Sequence, residues 1–240
     1  MLARVLALLV VLSTVVYLAI AWFAAHGRIE LPADWNSRWN PFTPFDVQAP
    51  HGPLSAWKFW RATHDDGRCA HALATSNIAY RPVRANEASP RCPLENAVRI
   101  EQLGSISVSS SFIASCPLAL GLAVYVHDPL QNAAQRVYGQ NVRRIDHVGS
   151  YACRNVNHAA SGPPSEHASA DALDIEAFVL EDGTRISVQR NWSAGTRASQ
   201  FLRAARDRAC DTFHVVLGPD FNALHSAHFH FDMGRFRLCR

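Results

Sequence analysis

Residues 5–25 contain no charged side chain, with only Ser13 and Thr14 as polar interruptions. A helix over that run would be roughly 30 Å long, the thickness of a hydrocarbon core. Such a segment has no polar face to turn toward water, so the chain must divide into an apolar N-terminal helix and a separately folded remainder. A cleaved export signal usually has a shorter apolar region that ends in small residues. Here Ala24 and Ala25 are small, but the large Phe23 precedes them. The run therefore favours an uncleaved membrane anchor over a cleaved signal, with Arg4 and Arg28 on its flanks giving a weak orientation signal.

All six cysteines, Cys69, Cys92, Cys116, Cys153, Cys210 and Cys239, lie beyond this run, and none forms a C-x-x-C pair. An even count behind an export segment predicts up to three disulfides in an oxidising compartment. The folded part is then expected in the periplasm, either anchored to the inner membrane or released after signal cleavage. A sequential pairing that ends in Cys210–Cys239 is the expectation; buried free thiols are the alternative. The balance of 23 basic against 20 acidic residues, with no basic run beyond Arg143-Arg144, argues against nucleic acid as a partner.

The expected boundaries are an anchor over 1–28, a linker with prolines and tryptophans over 29–54, and a domain over 55–240. Residues 31–53 hold Pro32, Pro41, Pro44, Pro50 and Pro53 with Trp35 and Trp39, show no sustained period, and read as extended. A short helix opens at Trp57, and 69–104 mixes short strand-like pieces with turns. The apolar run 117–138 is helical but must break at Pro129. Strands follow at 142–152 and 173–180, and Asp182-Gly183 predicts a hairpin into 185–188. Residues 196–209 place Phe201, Leu202, Ala205 and Ala209 on one helical face, and strands at 213–217 and 227–233 complete an α+β domain with an antiparallel sheet.

Two short motifs concentrate the chemistry. One runs from Ser165 through His167 to Asp174; the other contains His225, His228, His230 and Asp232. Because side chains alternate along a strand, His228, His230 and Asp232 share a face, with Phe229 and Phe231 on the other. By the same parity Leu173 and Ile175 point to the core while Asp174 and Glu176 point away. Two imidazoles and a carboxylate can hold zinc and leave a coordination position open, as hydrolytic sites do. Glu176 competes with His228 as a base, though a solvated strand residue is the simpler reading. The serines 109–111 and Ser150 lack a G-x-S-x-G elbow and read as loop or strand-edge residues.

The first motif resembles the Ser-x-His-x-x-x-x-x-x-Asp signature of the D-alanyl-D-alanine carboxypeptidase and murein endopeptidase superfamily, whose zinc fold is hedgehog-like. The second resembles the His-x-x-His-x-His end of the penicillin-insensitive murein endopeptidases. From Trp35 to the C-terminus the chain resembles the bacterial extensin-like C-terminal domain family. That likeness rests on 40–46, on Gly149-Ser-Tyr-x-Cys-Arg154, on Ser165-x-His167, on Ala172-x-Asp174-Ile175, and on Leu217-Gly-Pro-Asp-x-Asn222 with its histidines. The resemblance implies His167, Asp174 and His230 as zinc ligands and His228 as catalytic base or transition-state stabiliser. It also implies His225 as a supporting catalytic residue, with Arg154 and Ser165 orienting a substrate carboxylate or carbonyl. One departure is Ala170, where the superfamily often has glycine; a methyl there is tolerable unless the position needs positive φ.

The function these features imply is a zinc-dependent endopeptidase that cuts amide bonds in peptidoglycan stem peptides or cross-links. A D-Ala-D-Ala carboxypeptidase, or a non-catalytic zinc-containing wall-binding module, are the alternatives. An extra imidazole beside the ligands argues against the last, since a purely structural zinc needs no open position.

Overall fold

The uncharged N-terminal run forms one helix, α1 (Leu2–Ala25), in a computed structural model that describes residues 2–84 and 89–240. The chain divides into two compact units, 1–72 and 73–240. The first holds α1, α2 (Ala33–Trp39), α3 (Ser55–Thr63) and the start of α4 (Asp66–Ala74). Helix α2 lies where the prolines predicted extended chain. At seven residues it is too short to show an apolar period, and it is held by tertiary contacts: Trp35 meets Tyr17 edge-on, with ring centroids 6.0 Å apart. Helix α4 likewise stands where strand-like pieces were expected. The stretch 85–88 of that segment lies outside the described residues.

The second unit is a mixed α+β body. Its strands are β1 (Ala79–Pro82), β2 (Ala97–Leu103), β3 (Ile106–Ser115), β4 (Val142–Gly149), β5 (Ala172–Leu180), β6 (Arg185–Ser187), β7 (Val215–Leu217), β8 (Phe229–Asp232) and β9 (Leu238–Cys239). The sheet order is β1-β2-β3-β4-β5-β8-β7-β9, with β6 also paired to β5. Pro129 splits the apolar run as expected: α5 (Cys116–His127) ends, and α6 (Pro129–Tyr138) begins with the proline in its first turn, where a missing N–H costs nothing.

The two helices α5 and α6 also correct the expected antiparallel sheet. They carry the chain from β3 to β4, and strands joined by a helical crossover run parallel; β3 and β4 do so, as do β7 and β9. The 3₁₀ and short helical pieces aside, α7 (Val188–Asn191) and α8 (Arg197–Ala209) complete the unit. Helix α5 is apolar on every side and almost wholly buried, as a central helix must be. Tyr125 on α5 donates to the Ala205 carbonyl of α8 at 3.1 Å and meets Phe231 edge-on. Phe178, Phe201, Phe229 and Phe231 fill the core between helices and sheet.

Two disulfides are Cys92–Cys153 and Cys210–Cys239, and among the described residues no cysteine is free. Cys210–Cys239 follows the expectation and fastens β9 to the end of α8. Cys92–Cys153 overturns the rest of the sequential order. Cys92 and Cys153 are 61 residues apart, and the Tyr151 hydroxyl, which donates to the Cys92 carbonyl at 2.7 Å, holds their two loops together.

Candidate functional site

Strand register creates the centre of the site. In the antiparallel pair of β5 and β8, Asp174 stands directly opposite His230, which brings their Cβ atoms to about 5 Å. Leu173, Ile175, Phe229 and Phe231 are fully buried on the core side, so alternation turns Asp174 and His230 to the other face. A slip of one residue would bury the charged pair and expose the phenylalanines.

His167 comes from a tight turn. The Ser165 hydroxyl accepts from the His167 N–H at 3.4 Å, and Ala170 closes the turn at φ 57° with its N–H on the His167 carbonyl at 3.2 Å. Position 170 therefore does take the left-handed backbone that glycine supplies without strain, and alanine carries a penalty there of about 1 kcal/mol. His167 is buried, and its Nδ1 lies 2.6 Å from the Ser150 carbonyl. A carbonyl only accepts, so Nδ1 holds the proton and Nε2 faces the cluster with a lone pair.

His230 is fixed in the opposite sense. Its Nε2 donates to Asp232 Oδ2 at 3.0 Å, leaving Nδ1 toward Asp174 Oδ1 at 2.9 Å. His167 Nε2 lies 3.2 Å from His230 Nδ1 and 3.3 Å from Asp174 Oδ2. The three facing atoms all lie within 4.8 Å of one another, a grouping that can hold a metal ion.

Charge distribution follows from this packing. Burial alone would raise the Asp174 carboxyl, but hydrogen bonds and charges from His167 and His230 hold it well below the usual carboxylate range. Burial alone would lower His230, yet Asp174 and Asp232 overcome it and push it up to about 9. His228, with Nε2 at 3.6 Å from Asp174 Oδ1, is lowered by burial; the pull of Asp174 opposes this, while His230, His167 and Arg154 reinforce it. Burial, with His230 and His228 adding to it, pushes His225 down to about 4. His225 is tethered by Nδ1 to Asn222 Oδ1 at 2.8 Å, and its ring centroid is 5.3 Å from that of His228. The centre thus pairs one stabilised carboxylate with two flanking imidazoles that stay neutral near pH 7.

The structure brings together every histidine of the two motifs along with Asp174. Arg154 is half-buried and near enough for its charge to act on His228, and it reaches the Asn155 carbonyl at 3.5 Å. Ser165 serves as the cap of the His167 turn. Glu176 pairs with Arg185 at 2.7 Å on the exposed strand face, in keeping with the simpler reading of that residue. The serines 109–111 lie in β3. Sequence reasoning did not assign a role to Ser150, whose carbonyl orients His167, or to Asn222. Asp232 carried a visible signal in its parity with His230, and its role as acceptor was the part left unassigned.

A family model described as Extensin-like protein C-terminus matches residues 67–240. No curated protein and no solved structure matches the chain.

Proposed function

Since the chain belongs to the extensin-like protein C-terminus family and its His167, Asp174 and His230 converge on one point, we propose that it is a zinc-dependent amidohydrolase of peptidoglycan. Its substrates on this reading are the amide bonds of stem peptides or their cross-links, and α1 holds it to the membrane with the second unit in the periplasm. The motif likeness to the D-alanyl-D-alanine carboxypeptidase and murein endopeptidase superfamily supplies the substrate class.

The observation that carries the reading is the geometry of the facing atoms. Donors bound tetrahedrally to zinc at about 2.0–2.1 Å stand about 3.3 Å apart; the two nitrogens here are 3.2 Å apart, His167 Nε2 is 3.3 Å from Asp174 Oδ2 and His230 Nδ1 is 2.9 Å from Asp174 Oδ1, and one atom from each residue lies within 4.8 Å of the others. The donor set is also chemically apt: His167 Nε2 presents a lone pair, and His230 Nδ1 presents a second once a metal ion displaces the proton that Asp174 and Asp232 otherwise hold on this imidazole. Their outer nitrogens are already tied to the Ser150 carbonyl and Asp232.

Zinc held there would supply Lewis-acid polarisation of the scissile carbonyl and would acidify an attacking water. The chain's own groups do the rest. His228, kept neutral by burial, accepts the water proton at Nε2 and returns it to the departing amine. Arg154 offers a guanidinium fork to a stem-peptide carboxylate, and Asn222 keeps His225 in place beside His228.

The test is digestion of purified peptidoglycan by the full chain in detergent, with and without chelator, reading the released fragments by mass. Chelator-sensitive fragments restored by added zinc are the expected result. Digestion that ignores chelator, or a His167→Ala variant that still binds one equivalent of zinc, overturns the reading.

A further inference from the structure

The N-terminal unit contains a buried cation without a counter-ion among the described residues. Lys58 on α3 is 4% exposed, and its ammonium donates to the Asn36 carbonyl at 3.2 Å, the Ser37 carbonyl at 2.8 Å and Thr43 Oγ at 2.8 Å. All three N–H donors are satisfied, yet every partner is neutral. Buried charges are normally paired with an opposite charge; here burial without such a partner pulls Lys58 down to about 8.

Beside Lys58 lies a cavity of about 200 Å³, lined chiefly by Phe42, Thr43, Phe45, Arg61 and Arg68. Among the described residues, no acidic side chain lines it. The Arg61 guanidinium sits 4.5 Å over the Trp57 ring and uses one N–H on the Pro41 carbonyl at 3.3 Å, which leaves the other donors of its fork available. The exposed Arg68 guanidinium makes no hydrogen bond or ion pair among the described residues. Asp65 is close in sequence but is engaged as the cap of α4, accepting from the Arg68 backbone N–H at 2.9 Å.

The cavity is tied to the end of the apolar helix. Ala21 on α1 is fully buried, and the buried Asn40 donates to its carbonyl at 2.8 Å; Pro41, the partner of Arg61, is the next residue. Tyr17 on α1 bonds the Trp39 carbonyl. Ala21 is about 6 Å from the end of α1 by helix rise, the level at which a span of about 30 Å of hydrocarbon gives way to headgroups. Trp39, Phe42, Trp57 and Trp60 are all exposed in this unit, and tryptophan favours that same level of a bilayer. These contacts also make α1 an integral part of the first unit.

From these observations we infer that the cavity is a binding site for the phosphate headgroup of an anionic phospholipid from the bilayer around α1. Arg61 and Arg68 bond the phosphate oxygens, Lys58 supplies the charge behind them, and the acyl chains lie along α1 and the exposed aromatic side chains. The inference stands independently of the reaction proposed for the second unit.

The experiment uses the full chain in zwitterionic detergent, analysed by native mass spectrometry after addition of phosphatidylglycerol, phosphatidylcholine or inorganic phosphate. Retention of phosphatidylglycerol about tenfold or more over phosphatidylcholine is expected, as is loss of that preference in Arg61→Gln/Arg68→Gln. Because Arg61 packs on Trp57, Arg68→Gln alone is the second variant; its exposed side chain is outside the packing, and it must weaken retention severalfold with the unfolding temperature unchanged. Equal retention of the two lipids, variants that keep the preference, or inorganic phosphate competing away the lipid at equal concentration overturns the assignment.

Discussion

Asp232 gives the sharpest test of the proposed centre, because its hydrogen bond to the centre is to the outer nitrogen of His230. Its carboxylate is buried and accepts twice, from His230 Nε2 at 3.0 Å and from the Gly234 N–H at 2.9 Å. Asparagine has the same shape but offers only one accepting oxygen. With that oxygen toward His230, the amide NH₂ opposes the Gly234 N–H and leaves a buried donor unsatisfied, at about 1–3 kcal/mol of stability. With the amide reversed, His230 must accept at Nε2, which moves its proton to Nδ1 and blocks the atom that faces His167 and Asp174. Either outcome loosens or blocks the imidazole, and outer partners of this kind carry about 10–100-fold in metal affinity, or about 1.4–2.7 kcal/mol. The assay is competition for zinc between the full chain and a chromophoric chelator, run on wild type and Asp232→Asn with thermal unfolding alongside. Unchanged zinc affinity in a folded Asp232→Asn protein would refute the claim that Asp232 sets the tautomer of His230.

The remaining predictions separate other parts of the argument. His228→Gln should keep zinc content at the wild-type level while amide cleavage falls by about 10²–10⁴-fold; parallel loss of metal would move His228 into the ligand set. Asp171, raised to about 7 by burial, with its Ser115 hydrogen bond opposing and the charges of Glu166 and Asp232 adding, favours the folded state when protonated. Its contribution, roughly 4 kcal/mol, is present below about pH 4, the unfolded carboxyl range, and is lost as pH rises to 7. Asp171→Asn should flatten that slope in denaturant titrations, and an unaltered slope would refute the account. Ala170→Val should lower stability by at least about 2 kcal/mol, since a branched residue enters a buried left-handed position, whereas Ala170→Gly should stay within about 1 kcal/mol of wild type; equal stability of the valine variant in chemical unfolding would contradict the turn geometry.

Periodicity made much of this molecule legible. The parity of His228, His230 and Asp232 against Phe229 and Phe231 identified both faces of β8, and the same count on β5 placed Asp174 beside them. Pro129 gave the break between α5 and α6, Asp182-Gly183 gave the β5–β6 hairpin, and the apolar stripe of 196–209 gave α8. What remained hidden was non-local. The partner of Cys92 depends on how two loops meet, and the parallel pairing of β7 with β9 joins segments that have no local sign of each other. Helix α2 is shorter than any readable period.

The site shows the same division at the scale of single atoms. The identity of His167 is a side-chain property and is written in the motif, but the nitrogen it presents is chosen by the Ser150 carbonyl, a group every residue carries. That carbonyl is aimed by Gly149, whose φ of 140° lies in a region few side chains tolerate, and Ser150 Oγ anchors the same segment to the Ala172 carbonyl at 2.6 Å. Ala172 opens the strand that carries Asp174. A backbone conformation at 149 therefore couples the orientation of one candidate ligand to the strand bearing another, which is why the family-like run from Gly149 to Arg154 belongs to the site although none of its side chains reaches the facing atoms.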